Sequence, residues 1–372
     1  MFIPFARPDI DDAEIAAVVA VLKTGILTGG AQVTAFEQAI ARYLGNDVAV
    51  AAVSSATAGL HLALTALGIS PGDEVITTPL TFTATAEAIA LTGARPVLVD
   101  IDPDTLNIDP AQVEAAITPR TKAILPVHLT GLACQMDVLG AIARRWGLKI
   151  IEDAAQALGS SFGGKLVGAI PGSNATIFSF HATKPATCGE GGAIVSGDRE
   201  LIERCREMRL HGIHRPSNRP RWDYDVAGLG YKYNLNEMAA AIGLTQIQKL
   251  DKGRDLRLAI ASAYNSAFAD LPVLLPKNDI ERNWHLYVLQ LLDVERDWFI
   301  AQMESLGIGC SVHYKPLHWH SFWAKTLGYD ADCFPHAVAY FRRCVSLPIY
   351  AGMKNEDVER AIAAVRNVLL SR

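Results

Sequence analysis

No two of the six cysteines form a C-x-x-C pair; Cys134, Cys188, Cys205, Cys310, Cys333 and Cys344 are scattered through 372 residues. A chain this long does not need disulfide staples, so free thiols in a reducing compartment are expected. Basic charge is not in surplus: 34 Lys and Arg face 39 Asp and Glu, a net charge of -5. That removes the long-range attraction a general nucleic-acid binder needs. The opening MFIPFARPDIDD has no basic stretch leading into an apolar run, so no secretory signal is read and a cytoplasmic location is expected. The longest charge-free stretch, Val48 to Gly72, has the length of a membrane span but carries Ser54, Ser55, Thr57, Gly59 and His61 in mid-segment. It is better divided into a buried strand and a helix, with no membrane contact.

From about Val48 to Ser196, short apolar runs (VAVAAV, EVITT, RPVLVDI, KAILPV, LKIIED, TIFSF, GAIVS) alternate with helical patterns. This rhythm predicts an α/β domain with a mostly parallel sheet covered by helices, whose chemistry belongs at the carboxyl ends of the strands. A loop rich in Arg, His and Pro, Leu210 to Ala227, breaks the rhythm and a long helical pattern follows. The domain change is placed near Leu250, giving a large domain with an N-terminal arm over residues 1–250 and a small α+β domain over residues 251–372.

Three segments at strand ends could carry chemistry. VSSATAG, Val53 to Gly59, runs from a strand into a helix; a helix start offers free amides and a positive dipole end to a phosphate, although on these residues alone a plain serine cap is the nearer reading. KIIEDAAQA ends an apolar strand in Glu152 and Asp153, and an acid there either caps a helix or faces a cation. In the third, Lys184 directly follows a strand, and Lys165 is the only other formal charge between Ala154 and Gly189. An ammonium in such surroundings has a lowered pKa, and the neutral amine condenses with aldehydes, which singles out Lys184 among twelve lysines. Phosphate site, buried acid and activated amine together match the three handles of pyridoxal 5'-phosphate.

Other patterns fail on chemistry. GSSFGGKL, Gly159 to Leu166, has phosphate-loop spacing but Leu166 replaces the magnesium-holding hydroxyl; Asp100 to Ala111 begins like a calcium loop but lacks its glycine and its final glutamate. The histidines of HYKPLHWH fit no zinc spacing, so no metal is expected.

The strings VSSATAGLHLAL, GDEVITTPLTF, IEDAAQALGS, SFHATKPATCGEGGAIV, GYKYNLNEMAAAIGLTQ and HYKPLH resemble the DegT/StrS family of pyridoxal-phosphate sugar aminotransferases, and the resemblance spans essentially the whole chain. It implies an aspartate-aminotransferase-like fold type I, a homodimer with shared active sites, and amino transfer from glutamate to a nucleotide-linked keto sugar, 2-oxoglutarate being released. Residue by residue, Lys184 resembles the lysine that binds the cofactor aldehyde, Asp153 the partner of the ring nitrogen, Gln156 the neighbour of the ring hydroxyl and Phe82 the stacked aromatic. Ser55, Ala56 and Ser179 resemble phosphate ligands, Asn234 a residue reaching the phosphate from the neighbouring subunit, and His313, Tyr314 and His318 the sugar-nucleotide pocket. Two nearer readings stand beside these: Phe82 as plain core and Asn234 as a helix cap. Arg204, Arg206, Arg209, Arg215, Arg219 and Arg221 cluster where a diphosphate could be held, with one or two expected to touch substrate. The competing functional readings are an amino-acid-type aminotransferase, for which Arg342 and Arg343 are a poor carboxylate fork, and a non-catalytic cofactor-binding sensor.

Overall fold

The computed structural model describes residues 2–216, 218–220 and 222–371. Seven strands form the central sheet: β1 (Ala49–Val53), β2 (Glu74–Thr77), β3 (Arg95–Leu98), β4 (Thr121–Ile124), β5 (Lys149–Asp153), β6 (Ala175–Ser179) and β7 (Gly192–Ser196). Their spatial order is β1-β7-β6-β5-β4-β2-β3. Only β7 runs against its neighbours; the other pairings are parallel. Helices cover both faces, so β2, β6 and β7 are buried along their whole length, which explains why they read as unbroken apolar or small-residue runs. Val48 to Gly72 resolves into β1 and the helix Ala56–Ala66, as its mid-segment polar residues demand. No helix among the described residues is long and apolar enough to cross a membrane.

Parallel pairing brings the carboxyl ends of β1, β5 and β6 to one edge of the sheet. The register Asp153 with Ile177 leaves Ser179 just beyond the end of β5. Ser55, Asp153 and the loop carrying Lys184 therefore share this edge although they are far apart in sequence. Strand β7 lies so close to the start of the first crossover helix that a Cβ at Gly192 would come within 2.5 Å of the Ser55 carbonyl and 2.6 Å of the Ala56 nitrogen. Only glycine permits that approach.

The expected division near Leu250 falls inside one unbroken helix, Glu237–Phe268, of 32 residues. Its first half buries Ala240, Ile247 and Leu250 against Phe36, Phe178 and Phe180 of the large core. Its second half buries Ile260, Tyr264 and Phe268 against Trp284, Tyr287 and Phe299 of the small one. The helix changes partner without changing conformation because its apolar positions continue past the boundary. The N-terminal arm also departs from the expected assignment: Ile3 packs in the small core and bonds across to Gly307 and Gly309. A three-stranded antiparallel sheet (Val273–Leu274, Tyr287–Leu291, Cys344–Leu347) forms the small unit with helices Arg296–Ser305 and Asn355–Leu370.

Near the start of the long helix, buried Glu237 accepts the amides of Gln32 (2.7 Å) and Val33 (3.4 Å) and so caps the helix Ala31–Tyr43. Gly30, the cap residue itself, has no side chain for that role. Glu237→Ala is expected to lower the unfolding free energy by about 1–2 kcal/mol, measured by denaturant titration, the cost of losing such a cap.

Candidate active site

At the carboxyl edge of the sheet lies a cavity of about 500 Å³, lined by Ser55, Ala56, Phe82, Asp153, Gln156, Ser179, Lys184, His313 and Tyr314 among others. Its size suits a small organic ligand.

One end is built by the helix Ala56–Ala66. Ser55 caps it through the Ala58 amide (3.1 Å), so the cap reading holds for this hydroxyl. Capping one amide leaves the dipole end and the other first-turn amides facing the cavity, where Ala56 and Thr57 line it beside Ser179. Cap and anion site are one structure rather than alternatives.

In the floor, Asp153 is buried and accepts Thr85 Oγ1 at 2.7 Å and the Ala155 amide at 3.2 Å. Thr85 Oγ1 is itself 2.8 Å from Thr81 Oγ1. Burial is the largest influence on Asp153 and pushes its carboxyl up from the ordinary carboxylate value, against the hydrogen bonds of Thr85 and Ala155 and the charge of Lys184. An acid held low, as the sequence implies for one beside a ring cation, thus needs a further positive group in the cavity. A protonated pyridine nitrogen meets that requirement, and the donor set fits the group in this respect.

Behind Asp153, the Cys134 amide donates to His128 Nδ1 (3.1 Å), so the ring proton is on Nε2, 2.6 Å from Glu152 Oε2. Thr176 holds the other Glu152 oxygen at 2.6 Å, and the His128 amide bonds the Asp153 carbonyl. This buried layer fixes the end of β5.

Lys184 is half-buried, and its Nζ has no hydrogen-bond or ion-pair partner among the described residues. Burial pushes its ammonium down to about 8, only partly opposed by Asp153. Phe82 is 59% exposed at the cavity wall, which excludes the plain-core reading and leaves a free aromatic face. Gln156 accepts the Thr130 amide (2.6 Å) and donates to Tyr314 Oη (2.9 Å), which couples the large domain to the HYKPLH segment. Next to Tyr314, His313 Nδ1 lies 2.8 Å from Ser346 Oγ; burial, then the Lys184 charge, push His313 down to about 4. It is neutral at physiological pH.

Neither His318 nor the arginine cluster meets this cavity, and Asn234, expected to serve a neighbouring subunit, lies outside the cavity of its own chain. His318 is 2% exposed, stacks edge-on against Phe334 and bonds the Ala331 carbonyl, away from the cavity lining. The short helical turn Leu317–Trp319 rotates it into an apolar cluster. Asn234 bonds Thr28 and Lys232 and does not line the cavity of its own chain, nor is it the helix cap, a part taken by Asn236. In the arginine cluster, Arg206 and Arg209 are locked onto Glu37 and the carbonyls of Val50 and Ala52, while Arg204 and Arg215 are exposed and Arg219 faces Asp223. None of these lines the cavity; Arg221 lies outside the described residues. The sequence reading missed Thr85, His181 and Glu190. The threonine run TFTAT hinted at the first; the SFH ending and the GEGG turn carried only generic signals.

The chain matches the DegT/DnrJ/EryC1/StrS aminotransferase family model over residues 8–366. It is 43% identical to the spore coat polysaccharide biosynthesis protein SpsC of Bacillus subtilis, over 99% of this chain and 97% of that protein. Spr1654 of Streptococcus pneumoniae, solved in its PMP form, superposes with a TM-score of 0.94 at 32% identity, covering 100% of this chain and 98% of that one. Helicobacter pylori PseC, an aminotransferase involved in the biosynthesis of pseudoaminic acid, superposes with a TM-score of 0.92 at 30% identity over 100% of both chains.

The cofactor-free protein should condense with pyridoxal 5'-phosphate at a rate that rises with pH through a midpoint near 8, because only the neutral Lys184 amine attacks the aldehyde and its ammonium is pushed down to about 8. A midpoint unmoved from the ordinary lysine range in stopped-flow absorbance would refute this. Gly192→Ala should weaken cofactor binding by about tenfold, or ~1.4 kcal/mol, by pushing the phosphate-facing helix start away from the sheet; equilibrium dialysis measures it.

Proposed function

The chain belongs to the DegT/DnrJ/EryC1/StrS aminotransferase family, and from that premise we propose that it carries an amino group from glutamate to a keto carbon of a nucleotide-linked sugar, a 4-keto-6-deoxy sugar or 4-keto pentose. It is a pyridoxal-phosphate enzyme of fold type I acting on sugars. What supports the finer reading is the joint placement of a free lysine amine, an acid lacking its cation and a helix-start anion site around one cavity.

Bound there, pyridoxal phosphate supplies an aldehyde that accepts nitrogen and a ring that withdraws electrons from the reacting carbon. Lys184 Nζ would hold the aldehyde at rest and, when free, would move a proton; with its ammonium near 8 it exchanges protons readily at neutral pH. Asp153, aimed by Thr85, would keep the ring nitrogen positive. Phe82 would offer its exposed face to the ring, and Gln156, fixed by the Thr130 amide, would be the neighbour of the ring hydroxyl. Ser55, Ala56 and Ser179 would hold the phosphate, with Asn234 contributed by a second copy of the chain. The family's dimeric form is consistent with Asn234 lying outside its own cavity.

The sugar enters past His313 and Tyr314. Neutral His313 and the Tyr314 hydroxyl offer hydrogen bonds, not charge, to the ring of the acceptor. The family match and the superposition on a sugar aminotransferase favour the sugar over the amino-acid-type reading.

Purified with its cofactor, the protein should be yellow, bleach with glutamate and regain colour with a UDP-linked 4-keto sugar. Recovery with pyruvate or oxaloacetate but not the sugar would overturn the substrate reading, and no bleaching would favour a sensor. Asp153→Asn should cut turnover by about 100-fold or more, since the neutral amide no longer maintains the ring charge. Borohydride reduction followed by peptide mapping should find the label on Lys184.

A further inference from the structure

Phe82 lines the large cavity with 59% of its surface exposed, and its ring contact among the described residues is a distant one, 6.1 Å between centroids, to Tyr314. A side chain packed so thinly takes its position from the backbone that carries it. What holds that backbone decides where the ring lies.

The backbone in question is the loop between β2 and the helix Ala84–Leu91, and the small domain holds it on both sides of Phe82. Three residues before Phe82, the Pro79 carbonyl accepts the Leu317 amide at 2.8 Å. Immediately after Phe82, Thr83 Oγ1 accepts the Trp323 Nε1 proton at 2.9 Å. Leu317 lies within HYKPLH, and Trp323 in the helix Ser321–Leu327 that follows it. Both are buried in one apolar cluster with Leu80 of the same loop.

Thr83 does not play the usual part of its position. It stands at the N-cap of Ala84–Leu91, where a threonine hydroxyl ordinarily accepts a first-turn amide, yet it makes no capping bond and has helical backbone angles (φ −56°, ψ −28°). Its proton goes to Glu87 Oε1 at 2.9 Å, which leaves the oxygen lone pairs to the indole. Trp323 is 2% exposed, and a buried indole N–H left without an acceptor is costly. The hydroxyl thus serves a tie between domains instead of a helix end, at the residue next to Phe82.

We propose that Trp323 is a positioning residue for this cavity: its indole N–H, acting through Thr83 and together with the Leu317 amide, fixes the loop that presents the Phe82 ring. Trp323 itself does not line the cavity. The small domain then determines the aromatic wall of a site whose acid, Asp153, belongs to the large one. This rests on the reading of Phe82 as the aromatic that stacks on the cofactor ring.

The test uses the holoenzyme and reads the circular dichroism of the bound cofactor in its visible band, which an achiral chromophore owes to fixed surroundings, together with the cofactor dissociation constant. Trp323→Phe keeps an aromatic ring and loses the N–H; Thr83→Val keeps the shape and loses the acceptor. With far-ultraviolet dichroism unchanged, each should roughly halve the visible signal and raise the dissociation constant about fivefold, the scale of one hydrogen bond. The double variant should be no worse than the more affected single one, because both changes remove the same bond. Thr83→Ser, which retains the hydroxyl, and Glu87→Ala, which leaves the indole bond in place, should both match the wild type. Wild-type values in Thr83→Val, or additive losses in the double variant, overturn the proposal, and the first of these stands even where Trp323→Phe does not fold. Phe82→Leu separates the tie from the reading beneath it. A signal lost in Phe82→Leu but kept in Thr83→Val rejects the tie and leaves Phe82 its stacking role; a signal kept in Phe82→Leu rejects the stacking role and the proposal with it.

Discussion

A carboxylate at the end of a buried strand sets the terms for everything around it. Asp153 ends β5 beside the fully buried β6 and is itself buried, so its charge is poorly compensated by water. Two hydrogen bonds, from Thr85 and the Ala155 amide, aim the carboxylate but do not neutralise it. The one strong remedy open to such a group is a cation in the cavity above it, and a protonated heterocycle is that cation. On the proposed reading the acid and the cofactor require each other: Asp153 would keep the ring charged, and the ring would keep Asp153 ionised.

The rest of the large domain holds that relationship in register. The His128–Glu152–Thr176 layer satisfies the residue next to Asp153 and pins the strand from behind. Gly192 lets β7 press against the start of the helix Ala56–Ala66, so the distance between that helix start and Asp153 is set by backbone contact. On the proposed reading a fixed spacing suits a rigid cofactor held at both ends.

The Gln156–Tyr314 hydrogen bond ties the large domain to the HYKPLH segment of the small one, and the unbroken helix Glu237–Phe268 carries both cores on one rod. Arg257, in the second half of that rod, and Lys184 of the large domain both line one small pocket, which is thus formed by residues of both domains.

Much of this was legible in the amino-acid sequence, for a definite reason. Strand and helix periodicity is local, so the α/β order, the division of Val48 to Gly72 into strand and helix, and the chemical identity of Ser55, Asp153 and Lys184 as strand-end groups could all be read residue by residue. A lysine surrounded by uncharged residues announces its own desolvation, and its lowered value near 8 follows. What the tertiary structure alone decided depends on contacts between distant segments. Arg206 and Arg209 look like diphosphate ligands until Glu37, some 170 residues away, is seen to hold them. His318 looks like a pocket residue until a three-residue turn carries it into the apolar cluster with Phe334. Thr85 becomes a partner of Asp153 only once the sheet and its covering helices are assembled. Burial, pairing and distance are properties of the folded whole, and no local pattern encodes them.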